Sequence, residues 1–228
     1  EPVDEPVDRD YVIALTDYTF MRPERVMSLL KKSSGFFNFQ KRTAIDALTA
    51  RDGMSLKQTL MFGRMRMEPA DIADVTGSTY HYLMNGIGSD TGWEGLFLPG
   101  ERVRLRFVNA SAMTHFDVRI PGVPMTVVGT DGQPVRPVEV DELRIAVAET
   151  YDVVVTLPED AAYTVFAETM DRSGYALGTL TPRSGLRGPL PARRERPLLT
   201  MADMGMSMDS MDSMDSMDSM DSMDSMDS

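Results

Sequence analysis

Cysteine is absent from this 228-residue chain, and histidine occurs only twice, at His81 and His115. Without a thiol the chain has no disulfide, no thiolate metal ligand and no cysteine nucleophile. The sequence also lacks a Walker glycine loop, a dinucleotide-binding glycine pattern, a G-x-S-x-G elbow and an H-E-x-x-H zinc motif. These absences leave no motif to which a catalytic acid, base or nucleophile can be assigned.

Clustered basic charge is missing as well. The chain has 23 Lys and Arg residues against 35 Asp and Glu residues, which gives a formal net charge of −12. Eight of the acidic residues and none of the basic ones lie in the last 28 positions, so the preceding residues carry 27 acidic against 23 basic groups, a net charge of −4. Because nucleic acid binding needs clustered Lys and Arg, we expect no nucleic acid partner. No apolar run approaches the ~20 residues of a membrane helix, so we expect no membrane span.

The start of the chain has the character of a connecting segment. It begins at Glu1 rather than Met, and no basic-then-apolar leader follows, which favours a piece of a longer polypeptide. Residues 1–8 (EPVDEPVD) are acidic, repetitive and punctuated by proline, with no periodicity that could bury a face. We therefore predict a linker over 1–8.

Most of the remaining chain has the pattern of β-strands. Residues 11–15 (YVIAL) are a β-branched and aromatic run that predicts a strand buried on both faces. From residue 80 onward, strand-like segments are separated by turn residues at spacings of roughly 8 to 15 positions. These segments are HYLMNG, PGERVRLRFVNAS, FDVRIPG, MTVVGTDG, VEVDELRIAVA, TYDVVVTL and AYTVFAETM. Within one of them Val103, Leu105 and Phe107 alternate with three arginines, which predicts one buried face and one solvated or interdomain face. The pattern indicates a mainly β fold of the sandwich type.

Turn residues add local detail to this prediction. Asp131 and Gly132 predict a tight turn between two strands, since glycine accepts positive φ without steric cost, and Pro134 and Pro137 are typical of an edge strand. Tyr151 is either a corner tyrosine that hydrogen-bonds to backbone or a plain core aromatic.

Two segments depart from the strand pattern. Residues 23–76 contain PERVMSLLKK with proline in its first turn, FNFQKRTAIDALTA with helical spacing, and SLKQTLMFGRMRM after a glycine, which together predict a helical insert. Residues 181–200 are rich in Pro, Gly and Arg without an apolar period, as in an extended connector. The predicted organisation is therefore one domain over 9–180 with this insert, the connector, and a tail over 201–228.

Residues 99–155 carry a family likeness. The segments PGERVRLRFVNAS and HFDVRIPGVPMTVVGTDGQPVRPVEVDELRIAVAETYDVVV resemble the second cupredoxin domain of three-domain multicopper oxidases. GRMRMEP, YHYLMNG and the exit TPRSGL…PLLTMADMGM resemble more narrowly the copper resistance protein A subgroup, and the likeness covers residues 9–206. The resemblance implies a Greek-key cupredoxin sandwich, a periplasmic location, and flanking cupredoxin domains as partners within a parent oxidoreductase.

The same resemblance defines what this chain lacks. Oxidases of this family use mononuclear and trinuclear copper sites whose ligands come from H-x-H pairs and an H-C-H run, because imidazole and thiolate are the ligands this chemistry requires. Neither motif occurs here, so we expect no mononuclear or trinuclear copper site and no oxidase activity from this chain alone. We interpret His81 and His115 as hydrogen-bonded structural residues, with a contact of His115 at an interdomain surface as the alternative.

The last segment, 201–228, has the clearest chemical signal in the sequence. It holds ten of the chain's 20 methionines and continues as seven tandem MDS units from Met208 to Ser228. Thioether sulfur is a soft, neutral ligand that selects copper(I) over hard cations, and aspartate raises the local cation concentration. Methionines three positions apart drift by about 60° around a helix, so no apolar face forms and we expect a disordered tail. The predicted metal ligands are Met201, Met204, Met206, Met208, Met211, Met214, Met217, Met220, Met223 and Met226.

Alternatives remain open at this point. The tail could be a low-complexity expansion without a ligand role, and Met61, Met65 and Met67 could be either metal ligands or core residues. The leading hypothesis is a copper-resistance protein whose ligand-free cupredoxin domain spaces the catalytic domains of the parent oxidase while the tail sequesters copper(I). The alternatives are a freestanding, non-catalytic copper-binding or scaffolding protein, and oxidation of copper(I) or phenols by a longer parent or assembly.

Overall fold

A computed structural model describes residues 6–39, 41, 45, 49, 54, 56–65, 67–73, 75–200, 203 and 205. The chain divides into two compact units, each built from two stretches of sequence. The first unit comprises Glu1–Phe39 and Ala73–Arg196, and the second comprises Gln40–Ile72 and Pro197–Ser228.

The first unit contains two β-sheets, which confirms the predicted mainly β sandwich. The seven-stranded sheet has the order β3-β2-β1-β5-β10-β7-β8, and the five-stranded sheet has the order β4-β12-β11-β6-β9. The strands are β1 (Arg9–Tyr18), β2 (His81–Met84), β3 (Ile87–Gly88), β4 (Trp93–Leu96), β5 (Arg102–Asn109), β6 (Phe116–Arg119), β7 (Met125–Thr130), β8 (Gln133–Val140), β9 (Glu142–Ile145), β10 (Thr150–Thr156), β11 (Tyr163–Thr169) and β12 (Tyr175–Thr181).

The core of this unit lies on the inward faces of the two sheets. Strand β5 buries Val103, Leu105 and Phe107 completely and leaves the arginines between them partly exposed, which confirms the predicted alternation. The same cluster takes Phe116 from β6 in the other sheet. Alternation of this kind places one face of each strand in the core and the other toward solvent.

The prediction that the first strand is buried on both faces was wrong. Ile13 and Leu15 are fully buried, but Val12 between them is 59% exposed. Strand β1 lies inside its sheet, hydrogen-bonded to β2 and, in parallel, to β5, yet only one face of that sheet contacts the core. The apolar run therefore reflects β propensity on the outer face as well as burial on the inner one.

The predicted turn and edge strand are both present. Asp131 and Gly132 connect β7 to β8 with φ of 47° and 73°, the left-handed region that a two-residue hairpin turn requires. Strand β8 is the last in its sheet and carries Pro134 and Pro137, where a missing N–H does not interrupt the sheet. Tyr151 is partly buried against the core cluster.

Helices occupy parts of the predicted insert. Helix α1 (Pro23–Lys32) belongs to the first unit, has proline in its first turn, and buries Val26 in a small cluster with Phe37 and Val75. Helix α2 (Leu56–Arg64) belongs to the second unit. Ile45 and Thr49 are helical and are joined by a hydrogen bond of 2.7 Å, but most residues of 40–55 lie outside the described residues.

Strands β3, β4 and β12 were not predicted. Each contains glycine, which weakens a strand signal in sequence, and β4 is positioned by a parallel pairing with β12 that links distant parts of the chain. Among the described residues, no helix has the length and apolar character needed to cross a membrane.

Candidate metal site

The ten predicted methionine ligands of the tail lie outside the described residues. Within 201–228 the structure describes only Asp203 and Gly205. The assignment of copper(I) to these ten thioethers therefore stays a prediction. What the structure provides is the part of the chain from which the tail departs.

A turn at Thr200 and Asp203 begins the tail. The Asp203 carboxylate accepts hydrogen bonds of 2.8 Å from both the backbone N–H and the hydroxyl of Thr200. The backbone hydrogen bond, reinforced by the hydroxyl, lowers the pKa of Asp203 because both donors favour the charged form. The two hydrogen bonds therefore favour the ionised form of the first carboxylate of the tail.

The segment just before that turn packs in the second unit. Leu198 and Leu199 belong to an apolar cluster around Met54 and Phe62, which are 5% and 2% exposed. The backbone N–H of Leu199 donates a hydrogen bond of 2.9 Å to the carbonyl of Pro69. The chain is thus held in place up to the residue before Thr200.

The same cluster contains two of the three further methionines considered from sequence. Met61 and Met65, four positions apart at the end of α2, pack against Met54 and Phe62, whereas Met67 is 44% exposed and outside the cluster. This packing agrees with the core alternative, and it also places three methionine side chains in one cluster.

The connector is held on the five-stranded sheet of the first unit by ionic contacts. Glu168 on β11 has no exposed side-chain surface, and its carboxylate accepts a 3.2 Å hydrogen bond from the backbone N–H of Arg194. Arg119 on β6 donates to that carboxylate at 3.2 Å and to the carbonyl of Ala192 at 3.0 Å. Arg194 also pairs with Glu142 on β9. The predicted extended connector therefore runs along β6, β9 and β11.

A second buried carboxylate completes this network. Asp117 on β6 pairs with Arg144 on β9 at 2.7 Å and with Arg172, itself buried in the left-handed region with φ of 62°, at 2.6 Å. Burial opposes ionisation of Asp117, but the hydrogen bonds from the two arginines outweigh it and lower the pKa of this carboxyl. These charges hold the sheet and the connector together and provide no metal ligand set.

Within the described residues, neither histidine joins a group of side chains that could hold a metal ion. His81 is exposed on β2, with its ring centroid 5.4 Å from that of Phe20, which is itself 82% exposed. This aromatic edge contributes to an open cleft of about 510 Å³ that Tyr80 and Tyr82 also line. His115 precedes β6, is partly buried, and accepts a backbone hydrogen bond from Met170 at its carbonyl.

Across the part of the chain that the structure describes, no group of three or more His, Cys, Asp or Glu side chains could hold a metal ion. The ionic network was missed by sequence reasoning. The sequence signal for this network was the pair of motifs FDVR in β6 and ELRI in β9, each of which carries one acidic and one basic residue. When the two strands pair, Asp117 lies opposite Arg144 and Arg119 lies opposite Glu142. That alignment is a property of the sheet and cannot be read from either motif alone.

Comparison with known proteins adds three kinds of likeness. Residues 9–184 match the profile of the family described as multicopper oxidase. The chain is 52% identical over 211 residues to a copper resistance protein A homolog of Pseudomonas syringae pv. tomato, which covers 91% of this chain and 36% of that protein. It is also 52% identical over 210 residues to copper resistance protein A of Escherichia coli, covering 90% of this chain and 34% of the relative. The chain thus spans about a third of the length of these relatives.

Solved structures agree on the fold. Fet3p, described as a multicopper oxidase that functions in iron import, superposes with a TM-score of 0.55 at 15% identity, over 84% of this chain and 31% of that one. A laccase from Botrytis aclada superposes with a TM-score of 0.51 at 20% identity, over 85% of this chain and 32% of that one. At these identities the likeness concerns the cupredoxin-like architecture and not the chemistry.

Proposed function

Because this chain belongs to the multicopper oxidase family, we propose that it is the central, copper-free cupredoxin domain of a periplasmic copper-resistance oxidase, with a tail that binds copper(I). The identity to two copper resistance proteins over nine-tenths of the chain supports the resistance role. Their length, about three times that of the matched segment, supports a parent protein with flanking cupredoxin domains.

The copper centres of the oxidase reaction do not fit the described part of this chain. Its interior is an apolar core, and the buried carboxylates of Asp117 and Glu168 are engaged by arginines. Such paired charges are not free to coordinate a metal. The third buried carboxylate, that of Asp171, accepts hydrogen bonds from the hydroxyls of Thr169 and Ser173. We therefore derive no oxidase step from these residues, and in this proposal the sandwich spaces the flanking domains that carry the chemistry.

The observation that carries the proposal is the donor set of the tail. Ten thioethers occur in 28 residues, seven of them at a strict spacing of three and each of these followed by a carboxylate. Repetition supplies overlapping sets of soft ligands for copper(I), while the negative charge attracts cations over a distance of about 8 to 10 Å at physiological salt. The copper here is cargo rather than a resident cofactor.

A titration of copper(I) against a competing chelator under anaerobic conditions tests the tail. The comparison is between the full chain and a full-length variant in which the ten tail methionines are replaced by glutamine, which keeps chain length, approximate side-chain size and net charge but removes the soft donors. We expect the variant to lose most of its copper(I) uptake.

The matched control replaces the serines of the seven MDS units by alanine, which leaves every sulfur and carboxylate in place. That control should bind copper(I) as the native chain does. Equal uptake by the native and glutamine chains would remove the tail from the proposal.

The domain role is tested on the parent polypeptide. The proposal requires H-x-H and H-C-H motifs in the sequences that flank this segment, and copper-dependent oxidase activity in the parent that this chain does not have by itself. Flanks without both motifs would contradict it.

A further inference from the structure

Among the described residues, six side chains form the apolar cluster of the second unit: Met54, Met61, Phe62, Met65, Leu198 and Leu199. The side-chain heteroatoms of these six residues are the three thioether sulfurs. Three of the ten methionines of residues 1–200 are therefore gathered in one cluster. A hard cation finds no ligand in such a surface, whereas copper(I) is satisfied by two or three soft sulfurs.

The exposure of these side chains suits entry of an ion. Met61 and Met65 are partly exposed, whereas Met54 and Phe62 are buried at 5% and 2% exposure. The two partly exposed methionines give an ion access from solvent, and the buried pair Met54 and Phe62 excludes water from the inner side. Exclusion of water strengthens metal coordination relative to hydration.

We propose that Met54, Met61 and Met65 form a copper(I) site in the folded part of the chain. The inference deepens the function proposed above, since it assigns a defined site beside the repetitive donors of the tail. Methionine suits such a site because its flexible, polarisable side chain reorients its sulfur with little cost in packing.

The position of the cluster along the chain connects it to the tail. Leu199 packs in the cluster and is anchored by its hydrogen bond to Pro69, and Met201 follows it by two positions. Two residues span at most about 7 Å, so the short chain between Leu199 and Met201 limits how far the first tail methionine can be from the cluster residue Leu199. Tethering gives the two donor sets a high effective concentration for each other, so copper(I) exchanges between them within one chain.

The test starts from the full-length chain with its ten tail methionines replaced by glutamine, so that tail binding is removed. In anaerobic chelator competition this chain should retain about one copper(I) ion, and adding Met61→Leu and Met65→Leu should weaken that binding by about tenfold or more. The matched control adds Met27→Leu, which removes an exposed thioether from α1. Leucine conserves volume and tests sulfur rather than packing.

A second measurement needs no substitution in the cluster. In the native full chain, the methyl resonances of Met54, Met61 and Met65 should shift when silver(I), a redox-stable substitute for copper(I), is added, and that of Met27 should not. Any one of three results would overturn the folded site. The glutamine-tail chain could retain no copper(I), its binding could be unchanged after the double leucine substitution, or the methyl resonances of the cluster methionines could stay unshifted. The proposed tail function fails under a different result, namely equal copper(I) binding by the native and glutamine-tail chains. Failure of the folded site and failure of the tail function are therefore distinguishable.

Discussion

Replacing Glu168 by glutamine removes a negative charge whose side chain has no exposed surface, and it should destabilise the first unit strongly. The carboxylate lies 3.2 Å from a guanidinium nitrogen of Arg119, 4.0 Å from one of Arg172 and 3.9 Å from one of Arg193. Glutamine has nearly the same shape, but its amide NH₂ presents donors to these donors. The substitution therefore tests the charge and leaves the packing almost unchanged.

The magnitude follows from burial of the partners. Arg119 and Arg172 are only 12% and 9% exposed, so in a poorly solvated place they would lose the Glu168 charge and keep Glu142 and Asp117, respectively, as ionic partners. Arg193, at 46% exposure, is screened by water. Breaking a buried ion pair by removing one partner costs about 3–5 kcal/mol. With roughly 2–4 °C of melting temperature per kcal/mol for a unit of this size, we expect a loss of roughly 10 °C.

The assay is thermal and urea unfolding followed by circular dichroism. Glu142→Gln is the matched control, since Glu142 also pairs with Arg119 but is 24% exposed, and its second partner Arg194 is 42% exposed. Pairs of this exposure contribute about 0–1 kcal/mol. A loss below about 1 kcal/mol for Glu168→Gln, or equal losses for the two variants, would refute the view that the buried charge organises this network.

Three further predictions concern stability. The folded-state pKa of Asp117 is lowered below 3.8, so its ionised form adds stability that is fully present above about pH 4 and is lost as pH falls through the folded value. The measurement is urea unfolding of the native and Asp117→Asn chains from pH 3 to pH 7. The difference in unfolding free energy between the two chains should shrink only in the acid range. Gly178→Ala should cost about 1–3 kcal/mol in the same assay, since its Cβ would lie 2.5 Å from the buried sulfur of Met84, and an unchanged stability would contradict the close approach. Gly132→Ala has open space around its Cβ, so it should cost only the roughly 1 kcal/mol of a left-handed φ, and a larger loss would indicate steric contact.

Features that depend on neighbouring residues alone were predictable from sequence. The alternation in β5, the hairpin turn at Asp131 and Gly132, and the edge position of Pro134 and Pro137 all follow from local backbone rules, and the structure confirms them. The exposed Val12 was predicted to be buried because a β-branched run has the same letters whether one face or two are covered. Coverage is decided by the second sheet, which sequence periodicity does not report.

The candidate site divides in the same way. The soft donor character of the tail is a matter of composition and spacing, so it is legible in the sequence, and its ten methionines stay a prediction because they lie outside the described residues. The gathering of Met54, Met61 and Met65 in one apolar cluster required the tertiary packing around α2, because no sequence motif links Met54 to the other two.

By itself, the sequence determined the chemistry that is available: no thiol, no paired histidines, ten thioethers at the end, and strands that alternate with a period of two. Only the tertiary structure decided which of these groups meet. Asp117 and Glu168 are buried with arginines from other strands and loops, and the connector is held across the sheet, because strand register and burial arise from contacts between residues far apart in the chain. Composition selects the ligands and charges, and packing in three dimensions selects their partners.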